Sequence, residues 1–175
     1  SSSTFRVFLQ NPNGIQPTWN NYSLLQDLYT SKKYGAAVIS LTETNLNWES
    51  MDSVRVLHSM FRKTWQHTAL ASSRAVEPFL SSYQPGGTAT IVCDNWTSRV
   101  IGKGEDPHGL GRWSYMVLRG KGTTKVVIIT AYNVGQRSHL EGGERTAYKQ
   151  QIRILSQSIR NGNLNIAPNP RRQFI

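Results

Sequence analysis

Four short apolar segments, each bounded by turn residues, occupy the chain between residues 86 and 133. They are GGTATIVC, SRVIG, RWSYMVLRG and TKVVIITAYN, and the stretches between them are rich in Gly or contain Asp and Pro. Val, Ile, Thr and aromatic residues in runs of this length favour strands, and Gly, Asp and Pro favour the turns that join them. This part of the chain is therefore predicted to form β-sheet.

The part of the chain before these segments alternates between strand-like and helix-like patterns. FRVFLQ (5–10) predicts a strand, and the Pro-Asn-Gly sequence that follows predicts a turn. Apolar residues then recur at helical spacing from an N-cap at Asn20 or Asn21 as far as Gly35. AVISLT (37–42) predicts the second strand, and the alternation is typical of an α/β fold.

A second helix is predicted to begin at about Ser50. Val54, Leu57 and Phe61 would lie on one of its faces. The stretch 71–85 is rich in Ser and is predicted to be exposed.

Length and charge limit the domain organisation and the kinds of partner. A chain of 175 residues, of which 38% are hydrophobic, can bury a substantial core, so residues 1–175 are predicted to form a single domain. Twenty Lys and Arg against ten Asp and Glu give a formal net charge of +10. Residues 108–175 carry eleven of the basic side chains but only Glu141 and Glu144 as acids. This excess favours an anionic partner, such as nucleic acid or a membrane surface.

Part of the basic excess falls on a predicted helix near the end of the chain. An apolar stripe at helical spacing is formed by Tyr148, Ile152, Leu155 and Ile159. Another face carries Arg145, Lys149, Arg153 and Arg160. This basic face could contact phosphate groups or could simply be solvated, and the sequence leaves both interpretations open.

A further helix start is predicted at Asn169 and Pro170, which form an N-cap and first helical position, but only RRQFI follows. A helix of about six residues is not stable by itself. We therefore expect the chain to be the front part of a larger, C-terminally truncated domain; a frayed basic tail is the alternative.

Cysteine usage and hydropathy indicate an intracellular protein. Cys93 is the single cysteine, so the chain has no intramolecular disulfide framework and no cysteine cluster that predicts zinc. No apolar run reaches the length that a membrane span requires, so no membrane partner is expected.

Three of the predicted strands end in polar side chains. Asn11 follows the first strand, Glu43 the second and Tyr132 the last. In α/β folds, ligands bind outside the carboxyl ends of strands, so these side chains could converge on one crevice. Amide, carboxylate and phenol oxygens suit magnesium better than zinc. Local alternatives remain: turn chemistry for Asn11, solvation for Glu43 and anchoring of the sheet edge by the Tyr132 hydroxyl.

Four motifs in this order carry a family resemblance: QNPNGI (10–15), LTET (41–44), GGTATIV (86–92) and GRWSYMVLRGKGTTKVVIITAYNV (111–134). Together they resemble the endonuclease/exonuclease/phosphatase superfamily, and in particular the endonuclease domains of non-LTR retroelements. The resemblance implies a DNase I-like four-layer α/β sandwich, with two packed β-sheets between outer helices. It also implies hydrolysis of phosphodiester bonds with Mg²⁺ or Mn²⁺.

The resemblance assigns roles to individual residues. Asn11 matches the Asn at the end of the family's first strand, and Glu43 matches its metal-binding Glu; both are expected to hold the metal. Tyr132 lies where one branch of the family has a Tyr that contacts the scissile phosphate. Asn13 departs from the pattern, because many relatives carry an Asp there, so this metal site would have one negative charge fewer. The family's general-base Asp and its closing Asp-His pair have no counterpart in this sequence.

The resemblance and the charge together predict DNA as the partner, contacted by Arg112, Arg145, Lys149 and Arg153. No organic cofactor is expected, and a eukaryotic retroelement protein would act in the nucleus. Three functions remain open at this stage. They are a DNA endonuclease domain, a non-catalytic copy or fragment that binds nucleic acid, and a phosphatase of the same fold.

Overall fold

The computed structural model describes residues 4–16, 22–76, 86–107, 109–132 and Ser156. Apart from Ser156, these belong to the first of two compact units, Ser1–Tyr132 and Asn133–Ile175. The elements of the first unit are β1 (Val7–Gln10), α1 (Tyr22–Lys33), β2 (Val38–Thr42), α2 (Met51–Thr64), β3 (Thr68–Ser73), β4 (Thr88–Cys93), a 3-10 helix (Asp94–Arg99), β5 (Val100–Glu105), β6 (Trp113–Arg119) and β7 (Lys125–Ala131). The basic helix expected at 145–160 and the helix start at Asn169 lie outside the described residues, and the prediction of a single domain stays a prediction.

The seven described strands form two sheets. The first has the order β1-β2-β4-β3 and the second has the order β5-β6-β7. β1 and β2 pair in parallel, whereas every other pairing is antiparallel. The ends of β1, β2 and β7 and the starts of β4 and β6 lie at one end of the sandwich, because Thr88 at the start of β4 hydrogen-bonds to Ser114 at the start of β6. We call this the site end, and the opposite end, where β1, β2 and β7 begin, the far end.

Two helices cover the outer face of the first sheet. α2 buries Leu57, Met60 and Phe61 in a core that also contains Leu28 of α1 and Ile39 of β2. Ser50 occupies the N-cap position of α2, as the sequence predicts. The spacing of apolar residues that predicts both helices is therefore confirmed, with Val54 packed at the margin of the same core.

The other face of the first sheet packs against the second sheet. Toward the far end this interface is apolar, with Val38 and Val92 of the first sheet in contact with Met116 and Leu118 of the second. The described residues thus form three layers: helices, a four-stranded sheet and a three-stranded sheet. The prediction of two packed β-sheets with helices outside is confirmed, and the fourth layer of the expected sandwich is not among the described residues.

Toward the site end the interface between the sheets consists of hydroxyl groups. Thr90 Oγ1 lies 2.7 Å from Thr130 Oγ1 and 3.1 Å from Ser114 Oγ, and Thr88 Oγ1 donates to Ser114 Oγ at 2.9 Å. Ser73 Oγ extends this network with a 3.0 Å contact to Thr88. Because each hydroxyl has a partner, these polar side chains can be buried at little cost.

This network corrects one prediction. The Ser-rich stretch was expected to be exposed from residue 71, yet Ala71, Ser72 and Ser73 are buried in β3, which pairs with β4. Serine predicts exposure only when its hydroxyl has no partner inside the protein, and here the partner comes from a neighbouring strand. Residues 77–85 of the same stretch lie outside the described residues.

None of the helices that the structure describes is long and apolar enough to cross a bilayer.

We expect Thr90→Val to lower the free energy of unfolding by about 1–3 kcal/mol, because the change leaves the buried Thr130 hydroxyl without its partner. Thr123→Val, at an exposed position in the turn before β7, is the matched control and should shift it by less than about 0.5 kcal/mol. Chemical denaturation of the two variants provides the measurement. Equal stabilities would show that the hydroxyl network does not hold the sheets together.

Candidate active site at the shared end of the two sheets

The parallel pairing of β1 and β2 brings the first two predicted site residues together. Gln10 is the register partner of Leu41, so both strands finish at the same level and their next polar residues are neighbours. Asn11 Nδ2 donates a hydrogen bond of 2.9 Å to Glu43 Oε2. Asn11 is exposed and Glu43 is half-buried, so solvent can reach the pair.

A second hydrogen bond fixes the orientation of the Asn11 amide. The backbone N–H of Asn13 donates to Asn11 Oδ1 at 3.0 Å, and since an N–H can only donate, the oxygen must face Asn13. The amide nitrogen then faces Glu43. Asn11 therefore holds Oε2 of the Glu43 carboxylate in place. A metal that binds to Asn11 would have to use the second lone pair of Asn11 Oδ1, because the first accepts the hydrogen bond from Asn13.

Glu43 has a left-handed backbone conformation, with φ of 53°. This conformation is rare for a residue other than Gly, Asn or Asp and costs about 1–2 kcal/mol. Backbone hydrogen bonds on either side maintain it: Gly14 N donates to Glu43 O at 2.8 Å, and Thr44 N donates to Gly87 O at 3.2 Å. Strain of this kind occurs preferentially at functional sites, where the chain must aim one particular side chain.

Arg112 and Tyr132 lie together at the start of β6 and the end of β7. Tyr132 N donates to Arg112 O at 2.8 Å, and the Arg112 guanidinium carbon lies 5.9 Å from the centre of the Tyr132 ring. Arg112 is 8% exposed, so its charge is held close to the protein interior. A cation over an aromatic face is attracted by the ring electrons, which helps to fix the orientation of both groups.

Two residues to which the sequence analysis assigns no role connect these pairs. Asn45 donates from its backbone N to Gly86 O at 2.7 Å, and its Oδ1 accepts from Gly86 N at 2.8 Å. Gly86 lies beside Arg112 and Tyr132, since a Cβ built on it would be 3.7 Å from Arg112 Nη1. The doubly bonded Asn45–Gly86 pair therefore joins the loop that carries Glu43 to the Arg112–Tyr132 pair.

Gly87 continues this connection into the second sheet. Its N–H donates to Gly111 O at 3.1 Å, one residue before Arg112. A Cβ on Gly87 would lie 2.7 Å from Thr44 Oγ1, so only Gly fits between the two loops. The Gly-Gly sequence begins the motif GGTATIV, and the close approach of two loops is the physical reason for it.

The oxygen donors suit a small hard cation. The Glu43 carboxylate and the Asn11 amide oxygen are the ligand types that Mg²⁺ and Mn²⁺ accept, with water completing the coordination. No three His, Cys, Asp or Glu side chains form a metal-binding group within residues 4–132, as far as these are described. Among the two residues that the resemblance assigns to the metal, Asn11 and Glu43, Glu43 supplies the one carboxylate.

Besides Tyr115 in β6, whose pKa is raised by burial, two titratable groups outside this site have shifted pKa values. Burial, together with the nearby Asp94 carboxylate, raises the pKa of the Cys93 thiol to about 12, so the thiol is protonated at neutral pH and is a poor nucleophile. Burial and the charge of Arg62 lower the pKa of His58, which lies on α2. Neither residue belongs to the cluster around Glu43.

Three of the four residues predicted to contact DNA cannot be placed. Arg145, Lys149 and Arg153 lie outside the described residues, and only Arg112 is positioned. The structure thus brings together Asn11 with Glu43, and Arg112 with Tyr132, and it connects the two pairs through backbone hydrogen bonds.

Comparison with solved structures agrees with this architecture. An endonuclease/exonuclease/phosphatase family protein from Leptotrichia buccalis superposes with a TM-score of 0.60 at 11% identity, over 88% of this chain and 61% of that protein. The endonuclease domain of TRAS1, a telomere-specific non-LTR retrotransposon, gives a TM-score of 0.48 at 14% identity, over 88% of this chain and 54% of that domain. The chain thus spans less than two thirds of either structure. Sequence comparison finds no matching family model and no similar curated protein.

The first superposition shows that the chain has the DNase I-like fold of the endonuclease/exonuclease/phosphatase proteins. The resemblance that the motifs indicate is therefore confirmed at the level of the fold.

We expect the free energy of unfolding of Glu43→Asn to exceed that of Glu43→Ala by about 0.5–1 kcal/mol, because Asn adopts the left-handed conformation at lower cost than other residues except Gly. Both variants lose the hydrogen bond from Asn11, so their difference reports the backbone conformation. Glu43→Gln keeps the size, the backbone preference and a hydrogen-bond acceptor, and it should leave stability nearly unchanged. Urea denaturation compares the variants, and a Glu43→Asn protein no more stable than Glu43→Ala would contradict the presence of backbone strain.

Proposed function

We propose that this chain forms part of a metal-dependent phosphodiesterase, and more specifically of a DNA endonuclease of retroelement type. The observation that carries the proposal is the Asn11–Glu43 hydrogen bond at the shared end of two sheets with a DNase I-like fold. The retroelement assignment rests on the four sequence motifs. A fold of this kind hosts several activities, so the function must be argued from the site.

Glu43 and Asn11 are the residues that would hold Mg²⁺ or Mn²⁺. Such an ion, when bound, polarises a phosphoryl oxygen and stabilises the leaving alkoxide. The role of Asn11 is to fix the carboxylate, because a ligand that is already oriented loses less entropy on binding. The hydrogen bond to Oε2 leaves Oε1 of Glu43 as the oxygen for the cation.

Arg112 and Tyr132 are suited to bind the phosphate group of DNA. The Tyr132 hydroxyl can donate to a phosphate oxygen, and the Arg112 charge behind the ring attracts the anion. Backbone hydrogen bonds through Asn45, Gly86 and Gly87 connect the two pairs. A cation bound by the Asn11–Glu43 pair and a phosphate bound by the Arg112–Tyr132 pair would therefore be held at a fixed distance from each other. Positioning of this kind is a large part of catalysis in phosphate chemistry.

A nucleic-acid-binding role without catalysis is the second candidate. The small number of acidic groups favours it, since the Asn11–Glu43 pair contains one carboxylate and no group of three His, Cys, Asp or Glu side chains forms among the described residues. The general-base contribution that such a site would lack is about 10²- to 10⁴-fold in rate.

Cation binding and cleavage test the two candidates separately. We expect Glu43→Gln to weaken Mn²⁺ binding, measured by electron paramagnetic resonance, and to lower nicking of a supercoiled plasmid, each by about 100-fold. Asn11→Ala should act in the same direction by about tenfold, because it removes only the group that orients the carboxylate. DNA binding without metal should persist in Glu43→Gln or tighten slightly, because an anion has been removed from a phosphate site.

Glu49→Gln is the matched control for this experiment. Glu49 lies near the same end of the sandwich, and its exposed carboxylate pairs with Arg74 at 2.5 Å. Its substitution should leave Mn²⁺ binding and nicking at the parent level. Parent-like Mn²⁺ binding in Glu43→Gln would defeat the metal-site proposal. If the parent protein binds DNA but does not nick the plasmid, the non-catalytic candidate is favoured.

A further inference from the structure

Basic side chains of the described residues are concentrated at the far end of the sandwich, opposite the candidate active site. Both helices run from the site end to the far end, and their last turns are basic. The cations contributed in this way are Lys32, Lys33, Arg62 and Lys63, all of which are exposed. A helix C-terminus attracts positive charge, so the helix dipole is a sufficient reason for these four.

A second group of far-end cations is not explained by helix dipoles. These residues lie just before β1, at the last position of the short 3-10 helix that precedes β5, and around the β6–β7 turn from the last residue of β6 to the first residue of β7, so no α-helix ends at any of them. They are Arg6, Arg99, Arg119, Lys121 and Lys125, and all five are exposed. Nine of the thirteen Lys and Arg among the described residues are therefore located at this end.

Backbone contacts place the two groups next to each other. The Arg6 guanidinium donates to Tyr34 O at 3.1 Å, directly after the basic end of α1, and Lys32 donates to Thr64 O at the end of α2. Arg99 donates to the backbone oxygen of Arg119 at 3.5 Å.

An aromatic contact joins these two parts of the surface. Phe5, the neighbour of Arg6, packs edge to face on Trp96 with ring centres 4.9 Å apart, and Arg99 lies over the same indole at 5.2 Å. The cations thus form one continuous basic surface, which we call the far-end surface.

Acidic side chains have the opposite distribution. Asp94 is the one carboxylate at the far end among the described residues, and it accepts hydrogen bonds from Gln66 N at 2.9 Å and His67 N at 3.4 Å. Six of the seven described carboxylates lie toward the site end, where the guanidinium groups of Arg74 and Arg112 are the nearest cations. The site end of the described unit is therefore acidic, which favours a cation but does not attract DNA over a distance.

We propose that the far-end surface binds the phosphate backbone of a nucleic acid, as a second contact separate from the active site. Strands of five to seven residues separate the two ends by about 20 Å, so the segment bound at the far end is not the segment presented to Glu43. Arg6, Arg62, Arg99 and Arg119 supply guanidinium groups, which bind phosphate in a bidentate manner.

A nucleic acid fits this surface better than an anionic membrane does. Binding to a membrane surface gains much of its strength from a buried apolar face, such as that of an amphipathic helix that lies flat in the interface. Here α1 and α2 meet the far-end surface only with their last turns. DNA and RNA share the phosphate backbone that this surface would bind, so both are used as probes in the binding test.

The test compares two double variants that remove equal charge. Arg119→Gln with Lys121→Gln changes the far-end surface, and the contacts of Arg99 and Thr124 there use only backbone oxygens of these residues. Arg55→Gln with Lys103→Gln is the matched control, because both residues are exposed and lie between the two ends. Thermal unfolding is measured first, to show that both variants are folded.

Binding of a labelled DNA duplex and of an RNA hairpin is then measured against salt concentration in EDTA, so that no cleavage occurs. For the far-end variant, the slope of log affinity against log salt should flatten by roughly 1.8 with duplex DNA, because two phosphate contacts are lost. The control should keep the parent slope. Because no cleavage is involved, this result is independent of whether the parent nicks DNA.

Three outcomes would overturn the proposal. Equal flattening in both variants would show an effect of net charge alone. The slope could instead stay unchanged in the far-end variant and flatten when Arg145, Lys149 and Arg153 are replaced by Ala. That result would assign nucleic-acid binding to the last third of the chain. Lost binding to phosphatidylserine vesicles with unchanged nucleic-acid binding would identify the surface as a membrane contact.

Discussion

The parallel pairing of β1 with β2 is the interaction on which the candidate site depends. A parallel pair finishes at one edge, so Asn11 and Glu43 become neighbours although 32 residues separate them in sequence. An antiparallel pairing of the same two segments would place them at opposite ends. The helix α1 makes the parallel arrangement possible, because it returns the chain across the outer face of the sheet before β2 begins.

Much of the fold could be predicted from the sequence, because short-range patterns determine it. Both helices and six of the seven strands follow from apolar spacing and from turn residues. β3 was missed because Ser72 and Ser73 suggest exposure, and nothing local shows that a hydroxyl such as that of Ser73 has a buried partner 15 residues away. Burial of polar residues depends on tertiary partners, which periodicity does not report.

The candidate site, like the fold, could be predicted only where short-range patterns determine it. Asn11, Glu43 and Tyr132 could be predicted as candidates because each follows a predicted strand and belongs to a motif. Asn45 and Gly86 could not, since their role lies in hydrogen bonds between segments 41 residues apart. The left-handed backbone conformation of Glu43 could not be predicted either, because no sequence rule places Glu in that conformation.

The interface between the two sheets changes in character along its length, from Val38, Val92 and Leu118 at the far end to Thr88, Ser114 and Thr130 at the site end. The hydrophobic effect has no preferred direction, whereas hydrogen bonds between hydroxyl groups weaken when their distance or angle changes. The apolar contacts at the far end therefore hold the two sheets together, and the hydrogen bonds at the site end align them. Volume-conserving changes among apolar side chains are therefore tolerated best at the far end. At the site end, each hydroxyl constrains how the sheet that carries Glu43 lies against the sheet that carries Arg112.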